Sequence, residues 1–321
     1  MKRLAVALVL GAVCIQPVAA PAADWPTRPI RIIAPSTPGG AADMFARLLC
    51  EQFSETLHER CFVENRAGAG GLIGTAATAQ AAPDGYTLTT SSTAYHVIAP
   101  VVSPNPGFDP MKDFTHVAYI GGPPNVFVVH PSSGVNSFKE LLALMRSQPD
   151  GVQYVSPSIG SVGNMVAEYV ADKEKVKLVH IVYRGGGSAI QDLVAGHVKV
   201  GSMTLSTTQP HILAGKLKPV AISSEKRLPA FADVPTLVEL GYPDLVVRTW
   251  YSLSGPAGLP RDIVDKLNAA VNKAMDLPEV QKHLETEMVQ TQAMTPEQMT
   301  AFMQREVNQW APTARRIAEQ K

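Results

Sequence analysis

Residues 29–50, PIRIIAPSTPGGAADMFARLLC, constrain the fold more than any other stretch of this chain. Ile30, Ile32, Ile33 and Ala34 make a short apolar, largely β-branched run between prolines, which is the pattern of a buried strand. Pro38, Gly39 and Gly40 end it. From Ala41 the apolar residues Met44, Phe45, Leu48 and Leu49 recur at helical spacing, with Cys50 expected to close the helix. A strand, a glycine turn and a helix start leave backbone N–H groups unpaired along a favourable dipole, an arrangement that suits an anion. The plainer alternative is an ordinary strand-to-helix turn. A Walker loop is excluded, because no Lys follows the glycines.

The same grammar recurs downstream. Strands are predicted at 61–63, 86–90, 117–120, 126–129, 154–156, 179–182, 198–203, 220–223 and 245–247, and helices at 76–82, 137–147, 165–171, 190–195 and 211–214. Residues 262–275, 278–288 and 296–310 read as helices, the last two with Pro near their starts. Short apolar strands alternating with helices predict an α/β fold with largely parallel sheets, whose ligands sit at the carboxyl ends of strands. Candidate binding residues therefore lie in the turns that precede helices. They are Ser36, Thr37, Gly39, Gly40, Ala41 and Asp43; Ser91, Ser92 and Thr93; Ser158, Gly160, Ser161 and Asn164; Gly186, Gly187, Ser188 and Ala189; and Ser206. Gly68 and Gly70 lack the third glycine of a dinucleotide fingerprint, so that reading is set aside.

At 321 residues the chain suits two domains of ordinary size, and its 45% apolar content is globular. Lys2 and Arg3 ahead of an apolar run, followed by the small residues Ala20 and Ala22, predict a signal peptide over 1–22. Its removal leaves 26 basic against 28 acidic side chains, a balance that asks for neither nucleic acid nor an anionic membrane. In an exported protein the remaining cysteines, Cys50 and Cys61, are expected to pair as a disulfide rather than stay free. No cofactor or metal motif is present: the sequence has no Gly-x-Ser-x-Gly elbow, no HExxH and no clustered His. Asp43 and Arg47 are spaced for an ion pair on one helix face. Arg66, Arg184 and Arg248 could meet an acidic ligand or serve surface and hinge salt bridges, and Trp250 could wall a cleft or fill a core. No nucleophile, base and oxyanion donor assemble, so the chain reads as a binder.

Residues 25–47 (WPTRPIRIIAPSTPGGAADMFAR), 64–74 (ENRAGAGGLIG) and 82–88 (APDGYTL), with Asp233-Val-Pro-Thr and Trp250 ahead of Ala257-Gly258, resemble the substrate-binding proteins of tripartite tricarboxylate transporters, the Bug family. The resemblance covers essentially the whole mature chain. It implies a periplasmic type II binding-protein fold, with two α/β lobes joined by a hinge crossed twice. Lobe one would hold 23–123 and 248–321, and lobe two 124–247. It further implies a monomeric receptor for a small carboxylate, held by backbone amides, hydroxyls and waters at helix N-termini and delivered to integral-membrane transporter subunits. On that reading Ser161 and Ser188 donate to the ligand, and Asp43 anchors waters or backbone of the first turn. The chain departs from the family pattern at Ala34 and Ser36, where an aromatic is usual. It departs again at Val182-Tyr183-Arg184-Gly185 and at the uncharged 204–207. Two rival classes are an exported enzyme using His96 or Asp43 as a base, and a sensor subunit that presents its ligand to a signalling partner.

Overall fold

The computed structural model describes residues 25–183 and 186–319. The leader expected at 1–22, with cleavage near Ala22, lies outside the described residues, as do Arg184 and Gly185. The first part of the chain forms β1 (Ile30–Ala34), α1 (Ala41–Thr56), β2 (Cys61–Asn65), α2 (Leu72–Ala79) and β3 (Thr87–Ser92). A π-helical turn (Thr93–Ile98) then runs into α3 (Ala99–Val102) and β4 (Phe114–Gly121). The middle forms β5 (Asn125–Val129), α4 (Phe138–Ser147), β6 (Val152–Val155), α5 (Val162–Glu174) and β7 (Leu178–Ile181). It continues through α6 (Gly186–Val194), β8 (Val200–Thr204), α7 (Leu205–Leu213) and β9 (Lys218–Ile222). The chain ends with β10 (Tyr251–Pro256), α8 (Arg261–Met275), α9 (Pro278–Thr286) and α10 (Pro296–Glu319).

Two mixed five-stranded sheets result, ordered β2-β1-β3-β10-β4 and β7-β6-β8-β5-β9. Each is parallel except for one reversed strand next to an edge: β10 runs antiparallel to β3 and β4, and β5 antiparallel to β8 and β9. In both sheets the reversed strand is the one the chain forms on arriving from the other sheet. Apart from Arg31, which pairs with Glu64 on β2, β1 is apolar because helices cover both sheet faces, as parallel strands require. Ile30, Ile32 and Ile33 have no exposed surface, and each contributes roughly 2–3 kcal/mol by burial. On α1, Ala42, Phe45, Ala46, Leu49 and Phe53 form the buried stripe at helical period.

The sequence reading and the structure part in a few places. α1 continues to Thr56, so Cys50 lies inside it; Cys50 nevertheless bonds Cys61 at the start of β2, with Cα atoms 4.8 Å apart. Cross-linking so short a segment is worth about 2–3 kcal/mol in the chain-entropy account. No strand forms at 245–247; there the chain passes beside β9, Val247 N donating to Ser223 O. The strand is Tyr251–Pro256, whose Ser252, Ser254 and Gly255 broke the apolar pattern although both serines are fully buried. Residues 205–210 begin α7 rather than a loop, with Thr208 Oγ1 donating back to Thr204 O at 3.2 Å. α2 starts at Leu72, four residues early, and α10 runs through Pro312 to Glu319.

The two crossings lie side by side. Thr249 N donates to Pro123 O at 3.0 Å, and Pro124 bridges Arg248. Gly122 is obligatory here, since a Cβ would sit 2.3 Å from Thr249 O. α10 joins the two halves a third time: Met299, Met303 and Trp310 share one core with Phe138 and Met165 of the second half, and Arg316 pairs with Asp172 at 2.8 Å. Trp250 fills this core. Its indole donates to Glu306 at 2.6 Å, and burial pushes that carboxyl up to about 7.

Candidate functional site between the two sheets

β1 delivers the chain into the turn at 35–40, where Gly39 adopts φ +81° and Gly40 becomes the N-cap of α1 with no side chain to cap it. That role passes to Asp43, 3% exposed, in the first turn of the helix. Its Oδ2 accepts from Gly39 N at 2.9 Å and Arg47 Nε at 3.0 Å, and its Oδ1 from Asn65 Nδ2 at 2.9 Å. Burial is the largest influence on this carboxyl and would raise its pKa. The Arg47, Gly39 and Asn65 donors together outweigh it and hold the group below its usual range. Asn65 also donates to Ser36 O at 3.2 Å, so the end of β2 clamps the turn. Ser36 Oγ is buried and has no hydrogen-bond partner.

Beside this turn, residues 68–71 take four successive left-handed conformations, with φ of +130°, +48°, +67° and +95°. The Tyr95 ring lies against Gly71 so closely that a Cβ there would sit 2.2 Å from it. Burial raises the Tyr95 phenol, and the neighbouring Ser36 hydroxyl pulls it the other way.

The second half repeats the device. β6 leads into a turn where Gly160 has φ +73° and Ser161 is the N-cap of α5. Asn164 Oδ1 accepts from Gly160 N at 2.9 Å, and its Nδ2 donates to Tyr154 Oη at 2.7 Å. Ser161 Oγ accepts from Asn164 N and donates to Ser158 O at 2.8 Å, so this hydroxyl serves its own loop. Ser156, wholly buried, bonds His180 Nε2 at 2.8 Å. The starts of α6 and α7 join this loop: a Cβ on Gly186 would lie 3.7 Å from Thr207 and 3.9 Å from Pro157. Gly187 and Ser188 are exposed, Ser206 is half-buried and Ala189 is buried under the turn.

Between these halves lies a cavity of about 720 Å³. Pro35, Ser36 and Thr37, residues 68–72, Ala94 and Tyr95 line it from the first half, and Ser158, Ile159 and Gly160 from the second. Ile98, Ala99 and residues 102–104 complete the wall, and none of the described lining residues is charged. The two halves touch here, since a Cβ on Gly160 would lie 2.9 Å from Ile98. Of the predicted residues, Ser36, Thr37, Ser158 and Gly160 line the cavity. Gly39, Asp43, Ser161 and Asn164 shape the two turns from behind, with Gly40 and Ala41 at the start of α1. Ser91, Ser92 and Thr93 do not form an open loop. They are buried, Ser91 facing His96, Ser92 capping the π-helical turn and Thr93 reaching Arg248 O. The 68–71 segment, Tyr95 and Ile159 are site residues the sequence reading missed. The density of glycine at 68–71 is the available signal; the sequence supports a family resemblance there and excludes a nucleotide fingerprint, but does not mark the segment as cavity lining.

The residues of the enzyme alternative are occupied elsewhere. His96 has no exposed surface, lies 4.6 Å from the Phe114 ring and is driven well below its ordinary pKa by burial and by His116. Asp43 is saturated by its three donors. Arg66 pairs with Glu64 and Arg248 with Gln290, and neither lines the cavity. Among the described residues no three His, Cys, Asp or Glu are placed to hold a metal, and no helix is long and apolar enough to cross a membrane.

Two α/β lobes, two adjacent crossings and a cavity between opposed helix starts define a two-lobed periplasmic binding protein. The chain belongs to the tripartite tricarboxylate transporter family of receptors, whose family model matches residues 45–318. It is 34% identical to the protein BugT of Bordetella pertussis, over 93% of this chain and 92% of that one. Among solved structures it is similar to BugD (31% identity, TM-score 0.75, covering 91% and 98%). It is also similar to an R. palustris protein solved with adipate (29%, 0.79, 92% and 99%) and to MatC of Rhodopseudomonas palustris with bound malate (30%, 0.76, 90% and 100%). This is a family of receptors, not of enzymes.

Proposed function

We propose that this receptor is exported, loses its leader near Ala22, captures a small carboxylic acid between its lobes and delivers it to the membrane subunits of a tripartite transporter. The observation that carries this reading is a cavity walled from both lobes, with a helix-start turn on each side and no charged side chain among its described lining residues. An anion in such a place is held by backbone N–H groups and hydroxyls, whose hydrogen bonds to a carboxylate are charge-assisted. The adipate and malate bound by relatives support the same ligand class.

In this reading 23–123 with 248–321 forms one lobe and 124–247 the other, hinged at the paired crossings. Ser36, Thr37, Gly39 and Gly40 present donors from the first lobe, and Ser158, Gly160, Gly186, Gly187, Ser188 and Ser206 complete the rim from the second. Ligand stabilises the closed arrangement because only there do both sets reach it. The test is calorimetric titration of the mature protein with a panel of organic acids, recovering the ligand afterwards. Saturable binding of an acid returned unchanged is expected. Turnover, or no binding by any acid, would sink the reading. Gly40→Val, whose side chain would press on Ser36 Oγ only 3.2 Å from the Cβ position, should abolish binding; unchanged affinity would refute the backbone-amide part.

A further inference from the structure

We propose that the acid this cavity accepts has an apolar, unsubstituted body, aromatic or aliphatic, and that hydroxylated and tricarboxylic acids are discriminated against. The inference rests on the carboxylate-receptor reading above and narrows its ligand class.

The wall that would lie against the body of a bound acid is built from Leu72, Tyr95, Ile98, Ala99, Val102 and Ile159. It belongs to the cores behind it. Ile98, 2% exposed, is part of the large core that also holds Val97 and Phe138, with Val102 and Ile159 packed on it. Leu72 and Ala99 pack with Phe108 and Phe114 in a smaller cluster. The Tyr95 ring is packed against Gly71, where not even a Cβ would fit. Its polar side-chain groups are the Tyr95 phenol and, at the edge, Ser103; the rest of a wall fixed in this way has no polar side chain to turn towards the ligand. A hydrocarbon body gains by leaving water against it. A hydroxyl or further carboxylate landing on that apolar part loses its water and finds no partner, a penalty that discriminates more strongly than lost contact alone. Polar partners remain at the turns, where Ser36 Oγ has no hydrogen-bond partner within the protein.

Titration of the mature protein with benzoate, hexanoate, adipate, malate and citrate tests this directly. Benzoate, hexanoate or adipate should bind roughly tenfold or more tightly than malate and citrate. Malate or citrate binding as tightly as the best of the other three would overturn this inference and leave the carboxylate-receptor reading intact. Binding of none of the five would overturn both. Val102→Asn, at the partly exposed edge of the wall, should weaken the best apolar acid roughly tenfold without weakening malate, a selective loss that a general fall in stability would not produce. An equal loss for every acid would count against a specificity role.

Discussion

The turns at 39–43 and 160–164 are one backbone device made with two chemistries. In each, a left-handed glycine precedes the N-cap, and the residue three places after the cap accepts that glycine's N–H at 2.9 Å. In the first lobe the acceptor is a carboxylate, and Arg47 and Asn65 must neutralise and saturate it. In the second it is a neutral amide whose remaining donor goes to Tyr154 and, through that phenol, to Glu168 at 2.7 Å. A buried carboxylate beside a helix N-terminus opposes a ligand anion there, whereas a buried amide does not. The shared geometry positions the amides; on the proposed carboxylate-receptor reading, the difference in charge, reduced by the Arg47 pair, would favour an acid's negative charge on the α5 side.

Removing the two acceptors should break the symmetry in energy. Asp43→Ala orphans the Gly39 N–H, takes one of the two acceptors of the Asn65 amide and removes the partner of the largely exposed Arg47, and is expected to cost about 3 kcal/mol. Asn164→Ala loses only neutral bonds and should cost about 2 kcal/mol. Urea unfolding of both variants reads the difference directly, and equal losses would mean the charge adds nothing.

Titratable burial differs in depth, although the part-buried His180 of the second lobe is also taken down to about 4 by burial. The first lobe encloses His96 and His116, and burial takes His116 down to about 4, with Pro110 O pulling the other way. A depressed imidazole means that the unfolded chain binds the extra proton, so stability falls as pH drops from about 6.5 towards 4, by about 3 kcal/mol for His116. Glu306 has the opposite sign, since its raised carboxyl favours folding at low pH and loses that contribution as pH rises through 7. Comparing wild type with His116→Gln isolates that imidazole: the variant should lose the His116 share of the slope between pH 6.5 and 4, while His96 and His180, which burial also depresses, keep theirs. An unchanged slope would place the acid sensitivity elsewhere.

These asymmetries explain which features were legible in the sequence. The turn at 36–43 could be read because strand, glycines and helix follow one another within 22 residues, each with its own period. The paired cysteines were equally readable, since both partners border that unit. β10 was hidden because Ser252 and Ser254 are buried by neighbouring strands, a tertiary fact with no local signature. Ser91 to Thr93 read as an exposed hydroxyl loop for the same reason. Their hydroxyls satisfy His96, a helix cap and the hinge, and only the fold shows those partners. The glycines at 68–71 were visible, but the side chain they make room for, Tyr95, is 24 residues away from Gly71.

The second lobe has its own glycine run in the sequence, 185–187, but Gly187 has open space around it where Gly71 is packed against a ring, which gives a further contrast. Gly71→Ala combines φ +95° with a Cβ 2.2 Å from the Tyr95 ring. It should cost about 2 kcal/mol and also displace Tyr95 from the cavity wall, so affinity falls with stability. Gly187→Ala, in open space on α6, should change stability by less than about 1 kcal/mol. A loss at Gly187 matching that at Gly71 would refute the packing account. Asn164→Asp carries the first lobe's charge into the second. It should weaken acid binding roughly tenfold near neutral pH, with affinity returning as the new carboxyl is protonated. If binding does not respond, the ligand's charge does not rest against α5.

The smallest effect concerns the caps. Ser161 supplies an N-cap side chain that Gly40 lacks, but glycine is itself an acceptable cap, so Ser161→Gly should cost only about 0.5–1 kcal/mol, including its bond to Ser158 O. The reverse change, Gly40→Ser, has suitable backbone at φ −76°, yet its Cβ would sit 3.2 Å from Ser36 Oγ and 3.3 Å from Thr37 O. Crowding then offsets the cap, and thermal unfolding should show no gain. A clear stabilisation by Gly40→Ser would mean that the turn yields easily, and the rigidity ascribed to the Asp43, Asn65 and Ser36 clamp would have to be given up. No change, with binding reduced, would instead show that the bare glycine at this cap is kept for access to its amide rather than for the stability of α1.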